Sequence, residues 1–175
     1  MKYQTLDLSP EAYDSFVSRH PQGEAMQLTP WGELKSNGGW TYDYMALGRD
    51  DEPLAAALIL YRSIGPFTLA YAPRGPVVDL EDQDLFKAIL ELMQKKAKEK
   101  GAFVLKVDPD TAADDQATME LMTSLGFRHR GWDKTFGYNV QPRFGAITYL
   151  TDEPMDEQLK RFQSRTRTNI RRSLK

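Results

Sequence analysis

The chain has 175 residues, enough for one domain with a hydrophobic core or for one domain and the start of another. Its 41% apolar and 27% charged residues are typical of a globular protein, and the absence of cysteine excludes disulfides and thiolate chemistry. The net charge of −2 conceals an asymmetry. Residues 160–175 carry seven Lys or Arg and no acid, so the first 159 residues hold 16 basic and 25 acidic residues. A basic end on an acidic body indicates a phosphate-bearing partner.

The first predicted elements are a short strand and two helices. Tyr3–Leu6 is the strand. Ser9-Pro10-Glu11 predicts a helix start, with serine as N-cap and proline at the first helical position. Thr29-Pro30 repeats this signal, and Asn37-Gly38-Gly39 ends the second helix, because glycine accepts the left-handed backbone of a C-cap.

Strands and helices then alternate along the chain. Apolar runs predict strands, helical spacing of apolar residues predicts helices, and Gly, Pro and Asp clusters predict turns. The strands are residues 41–48, 54–61, 67–71, 103–107, 127–130 and 138–140, with turns at 50–53 and 65–66 and a rigid loop at 73–76. The helices are residues 82–100 and 111–125. We expect the strand at 103–107 to be buried.

The last segment predicts the beginning of another unit. Residues 141–143 are a linker, followed by a strand at 146–150 and one long helix from about 154 to 174. Its apolar stripe needs a covering surface, so the chain looks unfinished at Lys175. The element order predicts an α/β fold with a mixed sheet flanked by helices, and it is similar to that of a GNAT (acyl-CoA N-acyltransferase-like) domain. We expect a first GNAT-like lobe over 1–143 and a truncated second lobe over 144–175.

Motifs for common enzyme chemistry are missing. His20 and His129 have no acid or cysteine at ligand spacing, so no metal is expected, and P-loop, G-x-G-x-x-G and G-x-S-x-G motifs are lacking. The carboxylates at Asp108, Asp110, Asp114 and Asp115 are better explained by N-caps and a turn than by acid–base catalysis.

An acyl-CoA cofactor is not expected either. A GNAT enzyme holds the pyrophosphate on backbone N–H groups of a glycine-rich loop before a helix. The corresponding loop here, residues 74–79, has one glycine, and Pro76 has no N–H. We therefore expect the fold without a cofactor.

The sequence also predicts the location of the protein. No apolar segment follows Met1 as in a secretion signal, and the longest apolar run, 54–61, is too short to span a bilayer. Both observations favour a soluble cytoplasmic protein.

Four arginines in the basic end are candidate phosphate contacts. Arg165, Arg167, Arg171 and Arg172 flank an apolar stripe, and guanidinium groups match phosphate geometry. A solvated helix face and a phosphate or tRNA contact are both open at this point.

Six segments, in one order across nearly the whole chain, carry a family resemblance. They are Gln27-x-x-x-Trp31-Gly32-x-x-Lys35, Tyr71-Ala72-Pro73-Arg74-Gly75-Pro76-Val77-x-Asp79, Phe103-Val104-Leu105-Lys106-Val107-Asp108-Pro109, Leu125-Gly126-Phe127, Gln141-Pro142-Arg143 and Ser164-Arg165-Thr166-Arg167-Thr168-Asn169-Ile170-Arg171-Arg172. Together they resemble the Fem family of tRNA-dependent aminoacyltransferases, which build the interpeptide bridge of peptidoglycan.

The resemblance implies two GNAT-like lobes without acetyl-CoA and two substrates. One is a peptidoglycan precursor, either the UDP-muropeptide or its lipid-linked form, which allows peripheral membrane association. The other is an aminoacyl-tRNA, whose amino acid forms an amide with an amine of the stem peptide. The work of the protein is then positioning, charge neutralisation and oxyanion stabilisation, and no catalytic residue is assigned. This amino-terminal part is expected to be inactive alone.

The resemblance also implies precursor-binding positions. Lys35 matches a lysine that contacts the diphosphate. Ser36, Asn37, Gly38 and Gly39 follow it with backbone N–H groups that an anion could use. Two further residues, Phe103 and Asp108, match positions that line the precursor pocket. A family member has tyrosine at the position of Phe103. Trp40 is a candidate for stacking on a uracil or sugar, or for the core.

Two other functions stay open. One is a related GNAT-like ligase that transfers from aminoacyl-tRNA to another acceptor, such as a protein N-terminus. The other is a non-catalytic module whose basic helix binds nucleic acid.

Overall fold

The structure, a computed structural model, describes residues 2–112, 114–129 and 151–173. The strands are β1 Gln4–Leu6, β2 Thr41–Arg49, β3 Glu52–Ile64, β4 Phe67–Ala72 and β5 Ala102–Val107. The helices are α1 Pro10–Arg19, α2 Thr29–Ser36, α3 Gln83–Glu99, α4 Gln116–Ser124, α5 Met155–Lys160 and α6 Ser164–Ser173, and a 3-10 turn covers Ala25–Gln27. Among these described helices, none has both the length and the apolar character needed to cross a bilayer.

The chain divides into two compact units, Met1–Arg130 and Gly131–Lys175. The first contains the five-stranded sheet, in the order β1-β2-β3-β4-β5. Neighbours are antiparallel from β1 to β4, whereas β4 and β5 are parallel because α3 connects them. In the second unit the described elements are α5 and α6. The predicted domain boundary at 143/144 lies outside the described residues.

Alternating residues of β3 divide the core between the two faces of the sheet. Successive strand side chains point to opposite faces, so a strand covered on both sides is apolar throughout, as predicted for residues 54–61. One set packs with α3: Ala55, Ala57, Ile59 and Tyr61. The other set packs with α1: Ala56, Leu58 and Leu60. The mixed sheet with helices on both faces is therefore confirmed.

Two tight turns shape the antiparallel strands. Asp50 and Asp51 have φ of 50° and 65°, the left-handed values that a two-residue type I′ hairpin requires. The predicted turn at 50–53 was therefore too long, because Pro53 lies within β3 at a register irregularity, where its missing N–H is tolerated. Gly65, with φ of 60°, and Pro66 make the second turn, as predicted.

Side-chain oxygens accept hydrogen bonds at the start of three helices in ways that sequence shows only in part. Ser9 accepts from the Ala12 N–H, as predicted. Thr29 does not cap α2, because Asp14 of α1 accepts both the Thr29 N–H at 2.8 Å and its hydroxyl at 2.6 Å. Asp115 caps α4, so the helix begins at Gln116 and not at residue 111.

Three further predictions need correction. Residues 103–107 are not a buried strand, because β5 is the last strand of the described sheet and Phe103 is 63% exposed. The helix predicted from 154 to 174 is two helices, since the Phe162 N–H bonds back to Leu159 and ends α5. Residues 127–129 form no strand, and the strands predicted at 138–140 and 146–150 lie outside the described residues.

A buried glutamine joins the turn before α2 to the sheet. Gln27 is 0% exposed. Its Oε1 accepts the Leu58 N–H at 2.8 Å, and its Nε2 donates to the Pro73 carbonyl at 2.7 Å and the Leu58 carbonyl at 3.3 Å. β4 pairs with β3 only as far as the Leu60–Tyr71 pair, so this amide satisfies backbone groups of β3 that lie past the last β4 pair.

Gln27→Leu is expected to lower the free energy of unfolding by about 3 kcal/mol, because it leaves buried backbone groups of Leu58 and Pro73 unpaired. Urea unfolding followed by circular dichroism measures this. Gln116→Ala, at an exposed position of α4, is the control and should change stability by less than about 0.5 kcal/mol. Equal stability of the two variants would contradict the role of Gln27.

Candidate functional site

Lys35 lies at the carboxyl end of α2, and a glycine sets the position of this helix. A Cβ on Gly32 would lie 2.5 Å from the Tyr42 ring, so α2 packs directly on β2. The Lys35 ammonium stands 4.8 Å from the centroid of the Trp31 ring, one turn earlier in the same helix. Lys35 is half-buried, so a cation is held at a defined place on the face of the sheet that α1 and α2 cover.

The residues after Lys35 use most of their donors within the helix end. Gly38 donates its N–H to the Lys35 carbonyl at 2.8 Å, and Gly39 donates to the Ser36 carbonyl at 3.3 Å. The Ser36 hydroxyl donates to the Gly32 carbonyl at 2.9 Å. The expected backbone anion donors at 38 and 39 are therefore occupied, while the Asn37 side chain is exposed. The Lys35 ammonium, and not the N–H groups of Gly38 and Gly39, is therefore the group that could bind an anion here.

Gly32→Ala should destabilise the protein, because the added methyl group meets the Tyr42 ring. In a Tyr42→Ala background the same change should cost clearly less, since the ring that it meets is gone. A double-mutant cycle by urea unfolding measures the difference, which we expect to exceed about 1 kcal/mol. Additive effects would show that α2 is not positioned by this contact.

The strand register places a row of polar and aromatic side chains on the face that α1 and α2 partly cover. Directly paired residues share a face, and the pairs here are Leu60 with Tyr71 and Tyr71 with Lys106. The neighbouring row contains Arg62, Leu69 and Val104. We call this surface the β3–β5 face: Trp40, Arg62, Leu69, Tyr71, Val104, Lys106 and Asp108.

Trp40 and Arg62 meet at one border of the β3–β5 face. Trp40 is half-buried and packs at the edge of the cluster around Leu58, which fits the core alternative in part. The Arg62 guanidinium carbon lies 5.4 Å from its ring centroid. Trp40 directly precedes β2, so the Lys35 segment and Arg62 bring two cations to the same end of the sheet.

Asp108 lies at the other end of the β3–β5 face, directly after β5. The Tyr71 hydroxyl is 3.5 Å from its carboxylate, and the Lys106 ammonium stands 5.6 Å from the Tyr71 ring. Arg74 forms an ion pair with Asp110 at 3.2 Å. Burial raises the pKa of Asp108 above its usual value, and the positive Arg74 opposes this shift.

The neighbours of Asp108 should move its pKa in opposite directions. Arg74→Gln raises that pKa further by removing a positive charge, and Tyr71→Phe raises it less by removing a hydrogen-bond donor. Asp110→Asn lowers it, because a like charge is removed. A titration of the Asp108 carboxyl carbon by NMR measures all three variants. Shifts of one sign throughout would contradict this arrangement.

The same pKa shift has a consequence for stability. A carboxyl whose pKa is raised in the folded state binds more protons there than in the unfolded state. As the pH rises from the pKa of unfolded Asp108 through its higher folded pKa, ionisation of Asp108 therefore lowers the free energy of unfolding. Asp108→Asn should flatten the pH dependence of unfolding in that window. Urea unfolding at several acidic pH values is the measurement, and an unchanged slope would contradict the shift.

Phe103 lies away from Asp108, at the beginning of β5. Its ring meets that of Phe67 edge-on, with centroids 5.6 Å apart, and both rings are largely exposed. Phe103 is therefore not a core residue. The structure brings Lys35, Trp40 and Asp108 to one face of the sheet but leaves Phe103 at its apolar rim.

The basic end is a surface helix. Arg165, Arg171 and Arg172 of α6 are exposed, and Arg167 is half-buried and donates to the Phe162 carbonyl at 3.1 Å. No residue of α6 is buried. Three of the four guanidinium groups therefore face solvent.

The loop between β4 and α3 does not form a phosphate cradle. A Cβ on Gly75 would lie 2.5 Å from the Gln27 amide, so this glycine packs against a buried side chain. Val77 exchanges both backbone hydrogen bonds with Ala56 of β3, at 2.8 and 2.9 Å. The residues present do not fit acyl-CoA phosphates. Within the described ranges, no three His, Cys, Asp or Glu side chains cluster as metal ligands do.

Solved structures with low sequence identity establish the fold class. An acetyltransferase of Trypanosoma brucei matches with a TM-score of 0.51 at 14% identity over 76% of this chain. Glucosamine-6-phosphate N-acetyltransferase of Arabidopsis thaliana matches with a TM-score of 0.52 at 13% identity over 79% of the chain. The architecture is therefore GNAT-like, as predicted.

The family follows from closer matches. The FemAB family model matches residues 8–175. Lipid II:glycine glycyltransferases of Staphylococcus saprophyticus and Staphylococcus aureus are 35% and 34% identical over 98% of this chain. The crystal structure of FemX matches with a TM-score of 0.83 at 34% identity over 98% of the chain. The chain belongs to the FemAB family. It spans 42% of the length of these glycyltransferases and 44% of the FemX chain.

Sequence reasoning missed three contributors to the site. Gln27 and Tyr71 stood in family motifs without an assigned role, whereas Arg62 stood in none. The signal for Arg62 was its position near the end of an otherwise apolar strand, where a charge needs a partner outside the core. Its actual partner, Trp40, follows from the β2–β3 register.

Proposed function

We propose that this chain is the precursor-binding part of an aminoacyltransferase that adds an amino acid from aminoacyl-tRNA to the stem peptide of a peptidoglycan precursor at the cytoplasmic side of the membrane. Membership in the FemAB family and similarity to the staphylococcal lipid II:glycine glycyltransferases support the reaction class. The observation that carries the proposal for this chain is the single sheet face that holds Lys35 and Arg62 at one end and Asp108 at the other.

Each end of the β3–β5 face has a chemistry that suits one part of the precursor. Lys35 and Arg62 neutralise the diphosphate, and the Trp40 ring gives an apolar surface for a sugar or base. Ser36, Asn37 and Phe103 border this end. Asp108 has a pKa raised by burial and accepts from Tyr71, so it suits the amine end of the stem peptide.

The reaction itself needs positioning more than a protein nucleophile. The stem-peptide amine attacks the carbonyl carbon of the aminoacyl ester, the new C–N bond forms, and the C–O bond to the tRNA ribose breaks. The amine loses a proton and the ribose oxygen gains one. The Asp108 carboxylate orients the attacking amine by accepting its N–H. Residues 144–175, as the start of a second GNAT-like lobe, supply basic groups for the tRNA.

Lys35→Ala is expected to weaken binding of the soluble UDP-muropeptide by about tenfold or more, because it removes a half-buried cation from the diphosphate site. Isothermal titration calorimetry with the 175-residue chain measures this. Lys98→Ala is the control, since Lys98 is also a lysine in the last turn of a helix but lies on α3. Equal affinity of the two variants would contradict the assignment of Lys35.

The arginines of α6 should contribute a salt-dependent affinity for tRNA. Replacement of Arg165, Arg167, Arg171 and Arg172 by Gln should reduce the slope of log Kd against log salt by about three to four, close to one per lost phosphate contact. Filter binding with purified tRNA is the measurement, and a Gln variant of Lys87, Lys95 and Lys98 on α3 is the control. An unchanged slope in the arginine variant would remove α6 from tRNA contact.

Two rival functions are separated by the acceptor. A ligase with another acceptor would transfer a radiolabelled amino acid to a peptide N-terminus and leave muropeptide unlabelled, when measured with the longer protein. A nucleic-acid-binding module would bind tRNA but give no heat with UDP-muropeptide.

A further inference from the structure

Four large apolar side chains are exposed together at one end of the sheet. Ile64 is 54%, Phe67 58%, Phe103 63% and Val104 37% exposed. Ile64 pairs with Phe67 across the β3–β4 hairpin, and the Phe67 and Phe103 rings are in contact. We call these four residues the hairpin patch. A contiguous apolar surface of this kind marks an interaction site more often than chance exposure does.

Most ionisable side chains near the hairpin patch are basic, and the acids Asp43 and Glu99 at this end are ion-paired with lysines. Residues 53–78 contain Arg62 and Arg74 but no acid, and residues 101–107 contain Lys106 but no acid. This contrasts with the first 159 residues, where acids exceed bases by nine. Arg62 lies on the β3–β5 face next to the patch, two residues before Ile64 on β3. A second copy of this chain would place like charges against each other, which disfavours self-association as the use of this surface.

Apolar side chains at a hairpin tip with cations behind them match the interface of an anionic bilayer. The apolar groups enter the boundary between headgroups and acyl chains, while Arg and Lys stay at the level of the phosphates. The turn residues Gly65 and Pro66 carry no charge that would oppose insertion. Two exposed phenylalanines and an isoleucine supply the buried area, and Arg62 supplies attraction to anionic lipids.

The position of the hairpin patch also fits the orientation of the site, and this step rests on the proposed function. β4 and β5 are parallel, and Phe67 and Phe103 stand at their beginnings while Asp108 follows their ends. Five strand residues separate these ends by about 17 Å. Trp40 and Arg62 lie at the patch end, since Trp40 directly precedes β2, whose Thr41 pairs with Tyr61.

We propose that the hairpin patch docks on an anionic membrane surface and holds the Lys35–Arg62 end of the site at the level of the lipid phosphates. A lipid-linked diphosphate then meets its binding cations at the surface, and the stem peptide extends away from the bilayer toward Asp108. The patch is thus the membrane contact of this chain, and it requires no spanning segment.

Vesicle flotation with the 175-residue chain tests the docking directly. The chain should float with phosphatidylglycerol vesicles, bind phosphatidylcholine vesicles less, and lose binding as salt is raised. Ile64→Ser/Phe67→Ser should reduce vesicle binding by about tenfold or more, because it removes two inserted side chains. Leu54→Ser is the matched control. Leu54 is also exposed, at 36%, but lies beside Asp50, Asp51 and Glu52 near the other hairpin, so vesicle binding should be unchanged.

Two further readouts keep folding and the proposed function separate from docking. A Phe67→Trp chain should show more fluorescence quenching by brominated acyl chains than the wild type, which reports insertion without removing an apolar group. Calorimetric affinity for soluble UDP-muropeptide should be the same in the wild type and in Ile64→Ser/Phe67→Ser.

If the muropeptide fails to bind but flotation depends on the patch, docking stands without the proposed function. Equal flotation of the wild type and the double variant, or association of the patch with a second copy in place of vesicles, would overturn the docking proposal.

Discussion

The side-chain amide of Gln27 is the contact on which the arrangement of the site depends. It lies buried where the turn before α2 meets the middle of β3 and the loop after β4. It forms hydrogen bonds with the backbone of Leu58 in β3 and of Pro73 in that loop. An unpaired amide at such a position would be costly, so its three hydrogen bonds are made or the local fold is lost. Gly75 is required beside it, because any side chain there would displace the amide.

The arrangement of the β3–β5 face depends on this contact. Gln27 closes the gap that opens where β4 leaves β3, in the region where a GNAT enzyme would place its cofactor loop. The fold is therefore retained while that loop is used for internal packing. The same residue ends the turn that leads into α2, so it fixes the start of the helix whose far end carries Lys35. In the proposed function, this face is pre-arranged for a substrate.

The fold was predictable from sequence to the extent that local signals decide it. The apolar run of β3, the glycine turns and the periodicity of α3 gave the α/β class, and the Asp50-Asp51 turn was misjudged only in length. Local signals could not show that Asp14 caps a helix fifteen residues later, nor that β5 exposes Phe103, because both depend on which segments become neighbours. The break between α5 and α6 was missed because the apolar spacing continues across it.

The candidate site was predictable as a set of residues but not as a geometry. Lys35 and Asp108 were identified through a family resemblance, and their joint presence on one face follows only from the packing of α2 on β2 and from strand register. The partner of Trp40 and the environment of Asp108 needed the tertiary structure. The backbone donors expected after Lys35 could not be judged from sequence, because glycines at a helix end can either bind an anion or close the helix, and here they close it.

The arrangement of the site requires that the Gln27 amide bond directly to β3 in solution. The most direct measurement is the scalar coupling across the hydrogen bond between the Leu58 amide nitrogen and the Gln27 side-chain carbonyl carbon, together with hydrogen exchange of the Leu58 N–H. A resolved coupling and exchange as slow as that of the central strand amides are predicted. A Leu58 N–H that shows no coupling and exchanges as fast as the loop amides would contradict the account.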